Sequence, residues 1–332
     1  MSNTYPPDTG RTPEQPPCIA PVGVSTRPLW SVMIPVYNGG AYLRESLEAV
    51  LQQAYSENDM QIEVIDDCST DIDVRSLVAT IGQGRIGYFC QPRNVGSLRN
   101  FETCINRSNG IYIHLLHSDD IVLPGFYKTL ARLFEQHPAA GAAFCHYQYI
   151  DETGKVVFIP QAEATEEGIL KNWLVRLAER QRIQYVAIAV KREVYEKLGA
   201  FYGVHYGEDW EMWMRIAAQY PFAYTPAILA SYRRHSDSIS GKSFTTAQNI
   251  RDLEFVMNKI NKLLPEEEKK PSLQKARKFY AYYALRTARQ LWTRSKDRQG
   301  AIAQMRSGWG LHKDIPLAVE IVKMVGRLIL NR

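Results

Sequence analysis

The clearest candidates for chemistry are acidic residues that directly follow short apolar runs. The cluster His117-Ser118-Asp119-Asp120 comes after a run that is typical of a buried strand. Carboxylate oxygens are the ligands that Mg²⁺ and Mn²⁺ prefer, and such ions commonly bridge to substrate phosphates. Asp119 and Asp120 are therefore candidate metal ligands. The same residues would also suit a solvated turn or a helix N-cap before Pro124, and the pattern alone does not separate the two interpretations.

A second acidic group, Asp66-Asp67-Cys68-Ser69-Thr70-Asp71, ends another predicted strand. At the tip of this strand, the Asp67 carboxylate could accept hydrogen bonds from a base or a ribose. In the alternative interpretation, Asp71 or Ser69 caps the next helix, and the group has only a structural role.

The group Gly207-Glu208-Asp209-Trp210 opens a predicted helix and places two carboxylates in its first turn. Acidic side chains are expected there from the helix dipole alone. If the turn faces a cleft, Asp209 could act as a general base, with Glu208 beside it. Trp210 and Trp213 lie on one helical face, which predicts packing in the core rather than cofactor binding.

A basic group, Tyr232-Arg233-Arg234-His235-Ser236, follows a further apolar run. Its two guanidinium groups and its imidazole could bind a diphosphate, because arginine pairs well with phosphate oxygens. A solvated basic turn is the alternative.

These four groups must be positioned by the elements that precede them. Strands are predicted for five apolar runs, at 30–36, 62–65, 86–89, 111–116 and 141–147. Apolar residues at helical spacing recur between them, so the chain predicts βαβ units and an α/β fold with a mostly parallel sheet flanked by helices. Ligands bind beyond the carboxyl ends of such strands, and the polar groups at 37–40, 66–71 and 117–120 lie there.

Three parts of the chain differ in composition. Residues 1–28 hold seven of the 17 prolines and show no periodicity, so we expect a disordered Pro-rich tail. The α/β pattern occupies 29–244. A helical extension is predicted for 245–332, and its last helix, at 315–330, is amphipathic.

Bulk composition limits the classes of partner. The 40 basic and 35 acidic residues give a net charge of +5, which is too small to predict nucleic-acid binding. Five cysteines at irregular spacing are typical of reduced thiols, and neither a secretion signal nor an apolar run of about 18 residues is visible. We therefore expect a cytoplasmic protein that does not bind nucleic acid.

Taken in order, six segments resemble the family-two nucleotide-sugar glycosyltransferases, which have the GT-A fold. The resemblance covers about 30–240 and is specific because the segments occur in the family's order. The matching segments are SVMIPVYN at 31–38, EVIDDCSTD at 63–71, NVGSLRN at 94–100, HSDD at 117–120, GEDW at 207–210 and YRRH at 232–235.

The resemblance implies a donor site. Asp67 would accept a hydrogen bond from the imide N–H of a pyrimidine, which favours a UDP or dTDP donor. The remaining nucleotide contacts would come from Pro35, Tyr37, Asn38, Asn94, Gly96, Arg99, Ser118 and Asp119.

The resemblance also implies the chemistry. Asp119 and Asp120 would hold Mn²⁺ or Mg²⁺, and His235 would approach the metal or the diphosphate. Asp209 would be the general base, with Glu208 beside it. Together these roles predict inverting, metal-dependent transfer of a sugar to an acceptor hydroxyl, in cell-surface polysaccharide or lipopolysaccharide assembly.

One position departs from the family pattern. His117 stands where the family has the first aspartate of its Asp-x-Asp motif, which leaves open whether Asp119 or Asp120 binds the metal directly. The Gln-x-x-Arg-Trp motif of processive synthases is not found in the sequence, so we expect transfer of single sugars.

The expected partners are a nucleotide-sugar donor and a saccharide or lipid-linked saccharide acceptor. The C-terminal helices admit three interpretations. They pack on the catalytic domain, they mediate formation of a homo-oligomer, or 313–332 contacts the inner face of an anionic membrane through its basic residues.

Two other functions fit part of the pattern. A nucleotidyltransferase has a similar sheet and metal, but it usually needs a basic Gly-rich loop after the first strand. This chain has no lysine or arginine there until Arg44. A non-catalytic binding or scaffold subunit with a glycosyltransferase-like fold would explain His117, whereas the presence of Asp209 favours an enzyme.

Overall fold

The computed structural model describes residues 10–23, 26–235 and 243–330, which divide into two compact units. The first unit comprises residues up to 171, 183–205 and 219–234, and the second comprises 172–182, 206–218 and residues from 235 onward. The sequence predicted a boundary near 244. The helical unit instead includes two segments from within the predicted α/β domain.

One sheet of ten strands forms the centre of the first unit. The strands are β1 (Trp30–Val36), β2 (Met60–Asp66), β3 (Gly87–Cys90), β4 (Tyr112–Leu115), β5 (Ile121–Val122), β6 (Ala142–Ile150), β7 (Val156–Phe158), β8 (Gly168–Ile169), β9 (Ile188–Lys191) and β10 (Phe222–Arg233). Their order is β3-β2-β1-β4-β9-β6-β10-β5, with β7 beside β6 and β8 beside β10.

The sheet is mixed. Strands β3, β2, β1 and β4 are parallel to one another, and β6 is parallel to β10. Strand β9 lies between the two groups and pairs antiparallel with β4 and β6. The prediction of an α/β fold with a mixed, mostly parallel sheet flanked by helices is confirmed.

The helices alternate with these strands and then dominate the C-terminal part. They are α1 (Gly40–Leu51), α2 (Val74–Gly82), α3 (Ser97–Arg107), α4 (Phe126–Gln136), α5 (Trp173–Ala178), α6 (Arg192–Leu198), α7 (Glu208–Ala217), α8 (Gln248–Ile260), α9 (Glu266–Gln290), α10 (Arg298–Leu311) and α11 (Ile315–Leu330). Shorter helical turns lie at Tyr185–Ala187, Asn261–Leu263 and Leu291–Ser295.

Strand β1 is buried along its whole length, as expected for a parallel strand covered on both faces. Its first residue, Trp30, packs edge-on against Tyr112 and Tyr127, with ring centroids 5.3 and 5.2 Å apart. Gly110 precedes β4, and a Cβ atom there would lie only 2.4 Å from the backbone nitrogen of Ser31. This close approach sets β4 beside β1, so the residues that follow the two strands lie at one edge.

Residues 10–23 differ from the predicted disordered tail. Pro13 and Ile19 are buried. The backbone nitrogen of Gly203 donates to the Pro13 carbonyl (2.9 Å), and that of Ala200 donates to the Pro17 carbonyl (3.0 Å). Proline has a fixed φ and loses little conformational entropy on ordering, so a Pro-rich segment can dock through its carbonyl groups without periodic structure.

The second unit is helical, and contacts between α5, α7 and α9 explain why segments remote in sequence belong to the same unit. Trp210 in α7 is buried, as predicted, and its Nε1 donates to the carbonyl of Leu177 in α5 (2.7 Å). The Trp210 ring also packs against Tyr280 of α9, with centroids 5.2 Å apart. Trp210 thus contacts residues 33 positions before it and 70 positions after it in the sequence.

Helix α11 has one buried and one exposed apolar face. Leu317, Met324 and Leu328 are buried, whereas Ile315 and Val322 are exposed. The structure thus contains the predicted helix at 315–330, but its exposed face also carries apolar side chains. Across the described residues, no helix combines the length and apolar character needed to cross a membrane.

Candidate functional site

The loops that follow β1 and β2 are joined at the carboxyl-terminal edge of the sheet. The backbone nitrogen of Asn38 donates to Ser69 Oγ (3.0 Å), and Asn38 Oδ1 accepts from the nitrogen of Thr70 (2.8 Å). The nitrogen of Gly40 donates to Asp71 Oδ2 (2.9 Å). Asn38, a predicted nucleotide contact, therefore also fixes the shape of this edge.

Helix α2 is capped by Asp73, whose Oδ1 accepts from the nitrogen of Ser76 (3.0 Å). The sequence left open a capping role for Asp71 or Ser69. The structure instead uses both side chains to bind the loop after β1. The acidic group at 66–71 consequently shapes the edge where ligands bind in such sheets.

The loop after β4 brings together His117, Asp119 and Asp120. One ligand-type atom from each residue lies within 4.8 Å of those of the other two. His117 Nε2 and Asp120 Oδ2 are buried and have no hydrogen-bond partner among the residues that the structure describes. Because an unpartnered buried polar atom is costly, these atoms fit a group that binds a cation. We call these three residues the acidic cluster.

His117 was the departure from the family pattern, and the sequence did not single it out as a ligand. Its ring stacks on Phe101, with centroids 5.3 Å apart, and lies 4.4 Å from the ring of Tyr185. The two rings fix the orientation of the imidazole. The signal that could have found His117 was its position two residues before Asp119, since histidine is itself a common metal ligand.

His235, by contrast, is not one of the three residues of the acidic cluster. Its role as a ligand remains a prediction from the resemblance.

Burial sets the protonation of the acidic cluster. It lowers the pKa of His117, which keeps the imidazole neutral and its lone pair available. Burial, with a smaller contribution from Asp119, raises the pKa of Asp120 well above the ordinary range, and Arg233 opposes this shift. A bound divalent cation would favour the ionised carboxylates, because the ion is the largest local charge in such a site.

Arg233, at the end of β10, supports the loop that carries this cluster. Its backbone nitrogen donates to Asp120 Oδ1 (2.9 Å), and its Nε donates to the carbonyl of Asp119 (2.9 Å). The buried guanidinium also pairs with Glu45 (2.5 Å) and donates to the carbonyls of residues 151 and 152 (3.1 and 3.2 Å). The basic motif at 232–235 suggested a diphosphate ligand, but the Arg233 side chain is engaged by the protein itself.

Asp67 is buried at the end of β2. Its two carboxylate oxygens accept from the backbone nitrogens of Val95 (2.6 Å) and Gly96 (2.9 Å). Asn94 Nδ2 donates to the Asp67 carbonyl (3.2 Å). Burial raises the pKa of Asp67, and the two backbone hydrogen bonds act in the opposite direction. The structure thus brings together three predicted nucleotide residues: Asp67, Asn94 and Gly96.

The other predicted nucleotide contacts belong to neighbouring elements of the first unit. Pro35 is buried in β1, and Tyr37, just beyond it, is exposed. Ser118 is buried, and its Oγ lies 2.5 Å from the position that a Cβ atom would take at Gly39. This contact joins the loops after β1 and β4. Arg99 lies in the first turn of α3.

Asp209, the predicted base, belongs to the second unit and lies in the first turn of α7 beside Glu208. Its Oδ2 accepts from Gln181 Nε2 (2.5 Å), and its Oδ1 accepts from the nitrogen of Trp210 (2.6 Å). Burial raises the pKa of Asp209 to about 6, although both hydrogen bonds act to lower it. A carboxylate with a pKa near the working pH is well suited to accept a proton.

The proteins that are similar to this chain include two solved structures and one curated relative. Staphylococcus aureus TarS in complex with UDP-GlcNAc has a TM-score of 0.61 at 14% identity, covering 90% of this chain and 80% of TarS. The mannosyltransferase PcManGT from Pyrobaculum calidifontis, in complex with GDP-Man and Mn²⁺, has a TM-score of 0.57 at 17% identity, covering 95% of this chain and 84% of PcManGT. At these identities the two structures show a shared GT-A fold and no more.

The glycosyltransferase GlyG from Streptococcus pneumoniae serotype 4 is 26% identical over 240 residues, which are 70% of this chain and 79% of GlyG. The sequence model of glycosyl transferase family 2 matches residues 31–199. The predicted family and enzyme class are therefore confirmed, and the nucleotidyltransferase alternative is set aside. The matched range includes the loops that follow β1, β2 and β4. This chain is a glycosyltransferase and belongs to glycosyl transferase family 2.

Proposed function

We propose that this glycosyltransferase moves a single sugar from a nucleoside diphosphate sugar to an acceptor hydroxyl, with inversion and with the help of a divalent metal. The observation that carries the proposal is the acidic cluster of His117, Asp119 and Asp120 at the edge of the sheet where Asp67 is held. The sugar nucleotides bound by TarS and PcManGT support a donor of this class.

The nucleotide would be bound at the end of β2. Asp67 has two backbone hydrogen bonds, and a carboxylate has about four acceptor positions, so it can accept a further bond from a pyrimidine imide N–H. This favours UDP or dTDP as the nucleotide. Pro35 and Tyr37 would line the base, and the remaining predicted contacts would come from Asn38, Asn94, Gly96, Arg99, Ser118 and Asp119.

The acidic cluster would hold the metal, and His235 would approach the metal or the diphosphate. A divalent cation bound there would offset the negative charge that develops on the leaving diphosphate. One nitrogen ligand beside two carboxylates suits Mn²⁺ better than Mg²⁺, because Mg²⁺ demands oxygen ligands in near-ideal octahedral geometry. We therefore favour Mn²⁺ over Mg²⁺.

Asp209 would act as the base. It takes the proton from the acceptor hydroxyl while that oxygen forms a bond to the anomeric carbon, and the bond from this carbon to the diphosphate oxygen breaks. Attack from the face opposite the diphosphate inverts the anomeric centre in one step. Glu208, the residue before Asp209, would contribute to the negative charge around the base.

The acceptor would be a saccharide or a lipid-linked saccharide, in cell-surface polysaccharide or lipopolysaccharide assembly.

We also propose that α11 rests on an anionic phospholipid surface. Ile315, Val322 and Leu330 are 80%, 70% and 85% exposed, and Lys323 and Arg327 lie on the same helix. Apolar side chains flanked by cations complement an anionic bilayer surface.

The metal preference depends on His117. We expect His117→Asp, which creates the Asp-x-Asp pattern, to bring Mg²⁺-dependent binding of UDP within a few-fold of Mn²⁺-dependent binding, because every protein ligand is then an oxygen. Calorimetric titration of UDP with each metal checks this. Asp120→Ala is the control and should weaken binding with both metals. An unchanged ratio of the two affinities in His117→Asp would exclude His117 as a ligand.

The base assignment predicts a separation of binding from chemistry. Asp209→Asn should lower the transfer rate about 10²–10⁴-fold, the usual contribution of general base catalysis, while the Kd of UDP changes less than about twofold. The wild-type rate should rise with pH through about 6 and then level off, because Asp209 must lose its proton to act as a base.

Asp252→Asn is the matched control for this experiment. Asp252 is also a buried carboxylate of the second unit whose pKa is raised by burial, and it accepts from Gln248 Nε2 (2.6 Å). We expect it to retain transfer activity. If Asp209→Asn transfers sugar as fast as Asp252→Asn, another group is the base.

The membrane contact predicts that Val322→Glu weakens binding to vesicles containing anionic phospholipid about tenfold, because it removes an apolar contact and adds repulsion. Co-sedimentation with the vesicles measures this. Val157→Glu, at an exposed valine of β7, is the control. Equal binding by the two variants would contradict the proposal, and a wild-type dimer that ignores vesicles would assign α11 to self-association.

A further inference from the structure

The segment at residues 10–20, here called the strap, lies against the part of the first unit that holds Asp67. It precedes the residues matched by the family and was expected to be disordered. Its docking is extensive. Pro13 and Ile19 are buried, and Arg192 Nη2 donates to the carbonyl of Ala20 (2.8 Å). A Cβ atom at Gly199 would lie 2.8 Å from Pro16 and from the carbonyl of residue 17, so only glycine accommodates the strap there.

The first residues of the strap contact predicted nucleotide-binding residues. The guanidinium of Arg11 donates to Asn94 Oδ1. Its Nε lies 3.1 Å from the position that a Cβ atom would take at Gly96, where φ is +90°. Arg99 Nε donates to the carbonyl of Gly10 (2.9 Å). Three residues of the predicted nucleotide site are therefore covered by the strap.

Asn94, which accepts the hydrogen bond from Arg11, also contacts Asp67. Asn94 also donates to the Asp67 carbonyl, and the next two backbone nitrogens, of Val95 and Gly96, hold the two oxygens of the Asp67 carboxylate. Successive backbone N–H groups that converge on an anion need a fixed backbone conformation. Arg11 contacts this turn through a charge-assisted hydrogen bond to Asn94 and through the close approach of its side chain to Gly96.

We propose that Arg11 is a positioning residue for nucleotide recognition, which fixes the turn at 94–96 and, through it, the carboxylate of Asp67. The inference rests on the proposed role of Asp67 in binding the donor. Arg11 acts through another residue and does not take part in bond making. Its loss should therefore affect the affinity for the donor and leave the chemical step unchanged.

The chain offers a matched control in Arg27. This arginine also ties the N-terminal region to the first unit, because its Nε donates to the carbonyl of Asn109 (2.8 Å) and its Nη2 to that of Gly110 (2.6 Å). Arg27 contacts the turn before β4 rather than the turn at 94–96. Arg27→Ala thus removes a comparable anchor without touching the proposed pathway to Asp67.

The test is calorimetric titration of UDP in the presence of Mn²⁺, with steady-state transfer kinetics, on the full chain. Arg11→Ala should raise the Kd of UDP and the KM of the donor about fivefold to tenfold, while kcat stays within twofold. Arg11→Lys should recover part of this loss, since it retains the charge but not the fork of donors. Arg27→Ala should bind UDP as the wild type does, even if it lowers the melting temperature.

Hydrogen exchange gives a second readout that does not depend on activity. The amides of Val95 and Gly96 should exchange faster in Arg11→Ala than in the wild type, and UDP should slow their exchange in the wild type. Equal Kd values for Arg11→Ala and Arg27→Ala would overturn the inference. Tighter UDP binding by Arg11→Ala would also overturn it, because the strap would then block the pocket. A wild type that binds no nucleotide would refute the donor site itself.

Discussion

The buried guanidinium of Arg233 joins the pieces of chain on which the candidate metal site depends. Asp119 and Asp120 are adjacent in a loop, and Asp120 is completely buried, so an ionised Asp120 carboxylate would be costly without a cationic partner. Arg233 offsets that charge and also satisfies the carbonyl of Asp119. Removing one partner from a buried charged network typically costs about 3–5 kcal/mol. The loop after β4 therefore depends on the end of β10, more than 100 residues away.

A similar arrangement holds the other end of the proposed donor site. Asp67 is fixed by backbone nitrogens of the turn at 94–96, and this turn is held in place by Asn94 and by the strap. In both places hydrogen bonds from the protein itself orient a buried carboxylate. The fold therefore orients the free acceptor positions of Asp67 and the unpartnered atoms of the acidic cluster before a ligand binds.

Much of this architecture follows from local pattern. The apolar run at 30–36 and the acidic groups after β2 and β4 were predictable, because strand periodicity and strand-end chemistry are both short-range signals. The partners of Arg233 could not be predicted, because Glu45 and Asp119 are remote from it in sequence. Trp210 was correctly predicted to be buried, but the sequence did not reveal that its partner would be Tyr280, which places α7 in the helical unit. The strap was missed because its order comes from docking and not from periodicity.

The most direct test of the account is calorimetric titration of the wild-type chain with UDP, dTDP and GDP, each in the presence of Mn²⁺ and again with EDTA. The acidic cluster and the Asp67 carboxylate predict that a pyrimidine diphosphate binds with Mn²⁺, that EDTA abolishes or strongly weakens this binding, and that GDP binds more weakly. A folded protein that binds none of the three, or binds them equally well in EDTA, would contradict the assignment of a metal-dependent donor site to these residues.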